Sequence, residues 1–211
     1  AYGDDGLRLM AMGATAPEAM RIVMRSDPRP SQRQAGMVDA HGNSASWTGD
    51  SCFDWAGGRT LAADGQIVIG GKGAMIVGRG FAAQANIMVS DATVRNMAEA
   101  FERTRGSLAD RLLAALVAGQ AGGGDKRGMQ SAALLVVRAG AGYLGLNDRY
   151  IDIRVYDAVD PIKELQRLYE LHKLYFFTTD TADLVPITPV LQRELEAVLL
   201  REPVNQAAKW L

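Results

Sequence analysis

A glycine-rich loop with charged, amide and hydroxyl side chains runs directly into an apolar segment. Three consecutive glycines precede Asp125, Arg127, Gln130 and Ser131, and residues 132–137 are all apolar. Glycines let a backbone approach a neighbour or ligand closely, and these polar groups are types that position a substrate or a reacting group. The loop is therefore the first candidate for an active site. The alternative is a structural connector whose charges are solvated or paired with each other.

The elements around this loop can be predicted from local patterns. Residues 132–137 have the composition of a strand covered on both faces, and residues 149–156 alternate apolar and polar side chains as a second strand does. Two amphipathic helices are predicted before the loop, and Ser107 is the N-cap of the second. Asp160 followed by proline predicts the start of another helix after the second strand. His172 lies on the inner stripe of that last helix.

The first part of the chain predicts one helix followed by strands. Thr15 and Glu18 form a capping-box pattern, and residues 32–39 and 44–49 predict a hairpin around a glycine-asparagine turn. Residues 66–69 and 74–77 flank a glycine-rich turn and predict a second hairpin, with a longer strand at 81–89. This order favours an α+β fold with a helix layer on an antiparallel sheet.

The composition changes after residue 177. Residues 178–187 predict a linker, and Thr188 followed by proline caps a last helix. We therefore expect a main domain over 1–177 and an extension over 178–211.

Charge and cysteine content exclude several classes of function. The formal net charge is -1, from 23 basic and 24 acidic residues, so neither nucleic acid nor an anionic membrane is an expected partner. No segment approaches the roughly 18 apolar residues that span a bilayer.

Cys52, His41 and His172 cannot assemble a recognisable zinc site, so we predict no metal and no cofactor. The single cysteine suits a cytoplasmic location, with export left open, and is expected to be a buried, inert thiol.

The sequence lacks the residues that common catalytic motifs require for their chemistry. Residues 119–124 have the spacing of a phosphate-binding loop, but Asp125 occupies the position of its lysine and would repel a phosphate. No nucleophile-elbow motif or triad spacing is present.

Several ordered segments together resemble the domain of unknown function 1028 family of uncharacterised bacterial proteins. They are QAGMVD at 34–39, TG at 48–49, Cys52 with WAG at 55–57, AQANI at 83–87, MAEAF at 97–101, GGDKRGMQSAA at 123–133 and DIRV at 152–155. The resemblance covers roughly 1–177. It implies a four-layer αββα sandwich similar to that of the N-terminal-nucleophile (Ntn) hydrolases, and it implies hydrolysis of an amide bond.

This chain departs from the family pattern in several places. Relatives usually carry a preceding segment with two strands and the residue where an Ntn nucleophile would stand. We expect this chain to lack them, to expose a sheet edge and to form a homo-oligomer. Ala85 replaces a usual glycine, and residues 64–79 look like an insertion. Residues 180–200 further resemble the opening of a peptidoglycan-binding module.

The resemblance gives provisional roles to polar residues. Asn86, Asp125 and Gln130 would be catalytic, with Asn86 as an oxyanion donor. Arg127, Ser131 and Thr48 would bind substrate, and Asp152 and Arg154 would form a supporting ion pair. Thr48 and Cys52 are the only internal candidates to replace the nucleophile. The alternative for each polar residue is a structural hydrogen bond at a strand end, and for Asp152 and Arg154 an ordinary ion pair within the sheet.

Two functions follow from this pattern. The first is hydrolysis of an amide or cyclic amide in a small molecule or peptide. The second is a non-catalytic binding or assembly module on the same fold, in contact with the cell wall or a partner protein.

Overall fold

The fold combines helices with antiparallel sheets, so the α+β class is confirmed. A computed structural model describes residues 2–177 and 186–201. The chain divides into two compact units, Ala1–Glu170 and Leu171–Leu211. The predicted linker lies largely outside the described residues, as does the beginning of the segment that resembles a peptidoglycan-binding module.

The helices are α1 (Tyr2–Ala11), α2 (Ala16–Ser26), α3 (Ala92–Arg103), α4 (Leu108–Ala121), α5 (Pro161–Phe176) and α6 (Pro189–Arg201). Capping predictions are confirmed at α2 and α4, where Thr15 and Ser107 each form a complete capping box. Asp160 accepts a hydrogen bond at the start of α5, and Thr188 accepts one at the start of α6. Local cap chemistry therefore sets where these helices begin.

Five strands form one antiparallel sheet in the order β1-β2-β5-β3-β4. They are β1 (Gln34–Val38), β2 (Asn43–Thr48), β3 (Gly57–Leu61), β4 (Ile67–Gly70) and β5 (Ala74–Ala85). The β1-β2 hairpin is confirmed. The predicted second hairpin is wrong, because β4 pairs with β3 whereas β5 is one long strand that pairs with β2 and β3.

The sheet is sharply curled around small residues on one face. Ser44 of β2 hydrogen-bonds to Thr60 of β3 although β5 runs between their strands. They meet over Gly78 of β5, where an added Cβ would lie 2.1 Å from a backbone oxygen. Gln34 reaches across the same face to Thr48 and to the carbonyl of Ala85. This face is therefore filled by hydroxyl and amide groups that bond to one another.

Helices cover the other parts of this sheet. Met20 of α2 packs with Met37 and Ala45 of β1 and β2 in one buried cluster. Phe81 of β5 packs with Phe101 of α3 in a second cluster, with ring centroids 5.3 Å apart. The second cluster fixes α3 above the end of β5, where the candidate site lies.

A separate two-stranded sheet contains β6 (Ala132–Val137) and β7 (Arg149–Val155). Leu134 and Val136 are buried, whereas Leu135 and Val137 are 50% and 64% exposed. The prediction that 132–137 is covered on both faces is therefore wrong. Among the described strands, β6 and β7 pair only with each other, so each of them has one edge without a neighbouring strand there.

Candidate functional site

A cleft opens where the end of β5, the start of α3, the end of α4, the 122–131 loop and the start of α5 meet. Its volume is about 590 Å³. The apolar walls include Met88, Met97, Leu116 and Ile162. Its polar lining consists of Gln84, Thr93, Gln120, Asp125, Arg127, Gln130 and Ser131. Four of the predicted site residues, Asp125, Arg127, Gln130 and Ser131, thus lie around one cavity.

Glycines let the loop enter this crowded position. A Cβ added to Gly122 would lie 2.7 Å from the carbonyl carbon and oxygen of Ala92, so only glycine fits against the first turn of α3 without a shift. Gly124 has a φ of +62°, and its own added Cβ would lie 2.3 Å from Oε1 of Gln120. These close approaches bring the polar loop residues beside the ends of α3 and α4.

Backbone hydrogen bonds tie the loop to the segment after β5. The N–H of Val89 donates to the carbonyl of Gly124 at 3.0 Å, and the N–H of Lys126 donates to the carbonyl of Ile87 at 2.9 Å. Ile87 has a φ of +68°, which is uncommon and strained for a β-branched residue. The chain thus holds an unfavourable backbone conformation next to the cleft.

Asp125 and Arg127 form a two-pronged ion pair at the rim. The Nε and Nη2 groups of Arg127 donate to the two carboxylate oxygens of Asp125 at 2.9 and 2.6 Å, and the backbone N–H of Arg127 donates at 2.8 Å. Hydrogen bonds from the Arg127 side chain lower the pKa of Asp125 below its usual value. Asp125 is therefore a weak base, suited to orienting groups rather than to accepting a proton.

Lys126 turns away from this pair. Its Nζ donates to the carbonyl of Asp54 at 3.0 Å, while Lys72 forms an ion pair with the side chain of Asp54 at 2.9 Å. Lys126 thus ties the 122–131 loop to Asp54 in the segment before β3, and Lys72 ties the β4-β5 connection to the same residue. Lys126 anchors the loop and leaves Arg127 as the cation at the cleft.

The cleft also contains three polar residues that the sequence interpretation missed. They are Gln84, Gln120 and Thr93, the last in the first turn of α3. The side-chain amide of Gln84 lies against Gly36 of β1 and accepts a hydrogen bond from Ser46 at 3.5 Å. Thr93 is 4% exposed, and its Oγ1 has no hydrogen-bond partner among the described residues. No hydrogen bond ties the side-chain amides of Gln120 and Gln130 to the part of the chain that the structure describes. Gln84 and Gln120 lie within segments that the sequence analysis names, but only the packing of α3 against α4 brings Thr93 and Gln120 to one cavity.

Other predicted residues lie away from this lining. Asn86 follows β5 but is not part of the cleft wall, and its Oδ1 is buried without a partner among the described residues. Thr48 is buried at the end of β2 and accepts a hydrogen bond from Gln34 at 3.1 Å. Cys52 is also buried, as predicted, with its thiol 3.6 Å from the carbonyl of Arg33. The segment after Asn86 lies against the loop, since Met88 forms a bridge with Asp125, but Asn86 is not among the residues that line the cavity with Asp125 and Gln130.

Asp152 and Arg154 form the expected ion pair, on β7. Their contacts are 2.7 and 3.1 Å, and Arg149 also pairs with Asp152. None of these three residues lines the cleft. Their position favours the alternative interpretation of an ordinary ion pair on the sheet.

The histidines also lie outside the cleft. His41 is exposed in the β1-β2 turn. In the second unit, the ring of His172 lies 4.8 Å from that of Phe176, and burial lowers the pKa of His172. Within the described ranges, no group of three or more histidine, cysteine or acidic side chains is arranged to hold a metal ion. No helix in those ranges is long and apolar enough to cross a membrane.

These features define an α+β protein with a polar cleft at the junction of a curled sheet and two helices. The chain belongs to DUF1028, a family of unknown function, whose profile matches residues 1–71 and 56–165. A crystal structure of a Silicibacter pomeroyi protein from the same family is similar, with 26% identity and a TM-score of 0.64. The similarity covers 90% of this chain and 73% of that one. No curated protein matches the chain.

Proposed function

We propose that the cleft binds a small molecule or short peptide through an amide group, and that the protein serves hydrolysis of such an amide. The observation that carries the proposal is the presence of Gln120, Gln130 and the unpartnered hydroxyl of Thr93 around one cavity. A carboxamide has two donor hydrogens and an acceptor oxygen, so the amides of Gln120 and Gln130 can complement a ligand that also has both. Apolar walls with a few convergent polar groups are the usual composition of a ligand site.

Thr93 adds support at the helix end of the cleft. Its hydroxyl is buried without a protein partner among the described residues, and an unmade hydrogen bond at such a position costs about 1–3 kcal/mol. A ligand oxygen or N–H that reached Thr93 would remove that cost. Binding would then be strongest for ligands long enough to span from Thr93 to the rim at Arg127.

The hydrolytic part of the proposal has separate support. In hydrolysis, water adds to the carbonyl carbon, the C–N bond breaks, and a carboxylic acid and an amine leave. Asp125 is the only carboxylate in the described lining and is held by Arg127, so the described cleft supplies orientation rather than a nucleophile with its base. The family resemblance to Ntn hydrolases supports the reaction, with a four-layer sandwich and a nucleophile in a preceding segment as parts of the same proposal.

A binding assay followed by product analysis tests the two parts in turn. Primary amides, N-acyl amino acids and cyclic imides are titrated against the protein by calorimetry, with esters of matched shape as controls. We expect amides to bind and esters to bind more weakly, because an ester has no N–H. Equal affinity for both series, or no binding by either, would overturn the amide site. Amide binding without release of acid and amine from the complete protein would overturn only the hydrolysis.

A matched pair of variants tests whether the ligand binds in the cleft. Gln130→Met keeps the length of the side chain but removes its donors and acceptor, and should weaken amide binding by about fivefold or more. Gln166→Met makes the same change on an exposed part of α5 outside the cleft. It should leave affinity unchanged, and equal effects of the two substitutions would move the binding site elsewhere.

A further inference from the structure

No strand in the described ranges lies beside the outer edge of β7. β7 pairs with β6 on one side, and no other strand among the described residues joins this sheet. A sheet of two strands is marginally stable, and three or more strands are the usual requirement. An unpaired edge presents backbone N–H and C=O groups that can pair with another strand.

The sequence of β7 is complementary to its own reverse. Residues 149–157 read Arg-Tyr-Ile-Asp-Ile-Arg-Val-Tyr-Asp. If two copies ran antiparallel with Ile153 on the twofold axis, Asp152 of each copy would face Arg154 of the other. Opposed residues of an antiparallel pair lie on the same face and within contact distance. The same register pairs Ile151 with Val155, within the part of β7 whose pairing with β6 is regular.

We propose that a second copy of this chain pairs with β7 in this antiparallel register. The product is a continuous four-stranded sheet in the order β6-β7-β7-β6 around a twofold axis. The charged pairs would lie on the half-exposed face that also carries Leu135, which stands opposite Asp152 in the β6-β7 register. Ile151 and Val155, buried within each copy, would lie on the opposite face.

The charged residues of β7 favour pairing through the β7 edge rather than the β6 edge, and they favour the register centred on Ile153. Asp152 sits between Arg149 and Arg154, with which it already pairs inside one chain. If the twofold axis passed through Asp152 or Arg154 instead of Ile153, Asp152 of one copy would no longer face Arg154 of the other. The charge pattern therefore favours the alignment centred on Ile153. The open edge of β6 has no such pattern, since residues 132–137 are all apolar and a uniform strand sets its register weakly.

Charge reversal tests both the partner and the register. Arg154→Asp places acid against acid across the axis, and Asp152→Arg places base against base. Each should raise the dimer dissociation constant by about tenfold or more, measured by sedimentation equilibrium. The double swap Asp152→Arg with Arg154→Asp restores complementarity and should restore the dimer. Arg167→Glu reverses an exposed ion-pair partner on α5 and is the control.

Mixing the two single variants separates lost pairing from lost folding. An Arg154→Asp chain carries two acids and an Asp152→Arg chain two bases, so an equimolar mixture should form a heterodimer with an affinity close to that of the original homodimer. Circular dichroism spectra should show each variant folded. A wild-type chain that stays monomeric at all soluble concentrations would overturn the proposal. So would a dimer unaffected by the reversals, or one that neither the double swap nor the mixture restores.

Discussion

Replacing Arg127 by alanine separates a ligand-binding role from a structural one. The side chain forms two hydrogen bonds to Asp125 but is 70% exposed. Water screens such a pair, so its contribution to stability is small. We expect Arg127→Ala to lower the melting temperature by no more than about 1–4 °C.

The expected effect on a ligand is larger. Asp125 uses the Nε hydrogen and one Nη2 hydrogen of Arg127, so three of the five N–H donors remain for other acceptors. Arg127 is one of the residues that line the cleft, and a charge-assisted bond to a ligand oxygen is about twice as strong as a neutral one. Loss of that bond should weaken binding by about tenfold to a hundredfold.

Arg167→Ala is a closely matched control. Arg167 forms the same two-pronged contact with Glu164, at 2.9 and 2.7 Å, and is 58% exposed outside the cleft. Differential scanning fluorimetry and calorimetric titration with an amide from the binding panel would be run on one preparation of each variant. If Arg127→Ala reduced affinity no more than Arg167→Ala, Arg127 would not contact the ligand. A fall of ten degrees or more in the melting temperature of Arg127→Ala would instead show that the Asp125–Arg127 ion pair has a structural role.

Three other substitutions test the surroundings of the site. Tyr169→Phe removes hydroxyl contacts to the capping box of α4 and should lower the free energy of unfolding by about 0.5–1.5 kcal/mol in urea denaturation. Gly122→Ala should cost about 1–3 kcal/mol through its clash with α3, while Gly71→Ala, with open space around it, should cost much less in the same assay. Burial alone would raise the pKa of Asp39, but hydrogen bonds from Asn43, Ala16 and His41 outweigh it and lower the pKa to about 2. Because the folded pKa lies below the usual 3.8, this stabilisation is present above pH 3.8 and is lost as the pH falls toward 2. Asp39→Asn should therefore flatten acid unfolding in that window, as followed by circular dichroism.

Helix starts could be predicted because the determining residues are close in sequence. Thr15 with Glu18, and Ser107 with Asp110, form complete capping boxes from residues three apart. Helix α1 was missed because Gly3 and Gly6 lower its intrinsic helix propensity. Gly6 is needed for packing instead, since an added Cβ there would lie 2.7 Å from Met37.

Strand partners depend on contacts that local patterns do not contain. Gly70 to Gly73 is a strong turn signal, yet the hairpin turn after β3 lies around Asp64 and Gly65 instead. β3 was missed because its buried positions hold glycine, Arg59 and Thr60 rather than alternating large apolar residues. The apolar composition of β6 fits burial on either one or two faces, and the surrounding elements decide between them.

The site was predicted in part because four of its residues share one loop. Asp125, Arg127, Gln130 and Ser131 stay together in any fold that orders 122–131. Thr93 and Gln120 depend on the packing of α3 against α4, where Gly119 contacts Met97. Asn86 is not part of the described lining, and the chain turns directly after it, at Ile87.

The cleft is better equipped to recognise a ligand than to move its protons. The side chains of Gln84, Gln120, Gln130 and Thr93 do not titrate in the ordinary pH range, and hydrogen bonds from Arg127 hold the pKa of Asp125 below its usual value. The charge of the lining is therefore constant across neutral pH. If amide hydrolysis takes place here, an inflection of kcat/KM near neutrality would report a reacting group beyond these residues, because none of them changes protonation there. Recognition and proton transfer would then belong to different parts of the protein, and the substitutions described above would alter KM while leaving that inflection in place.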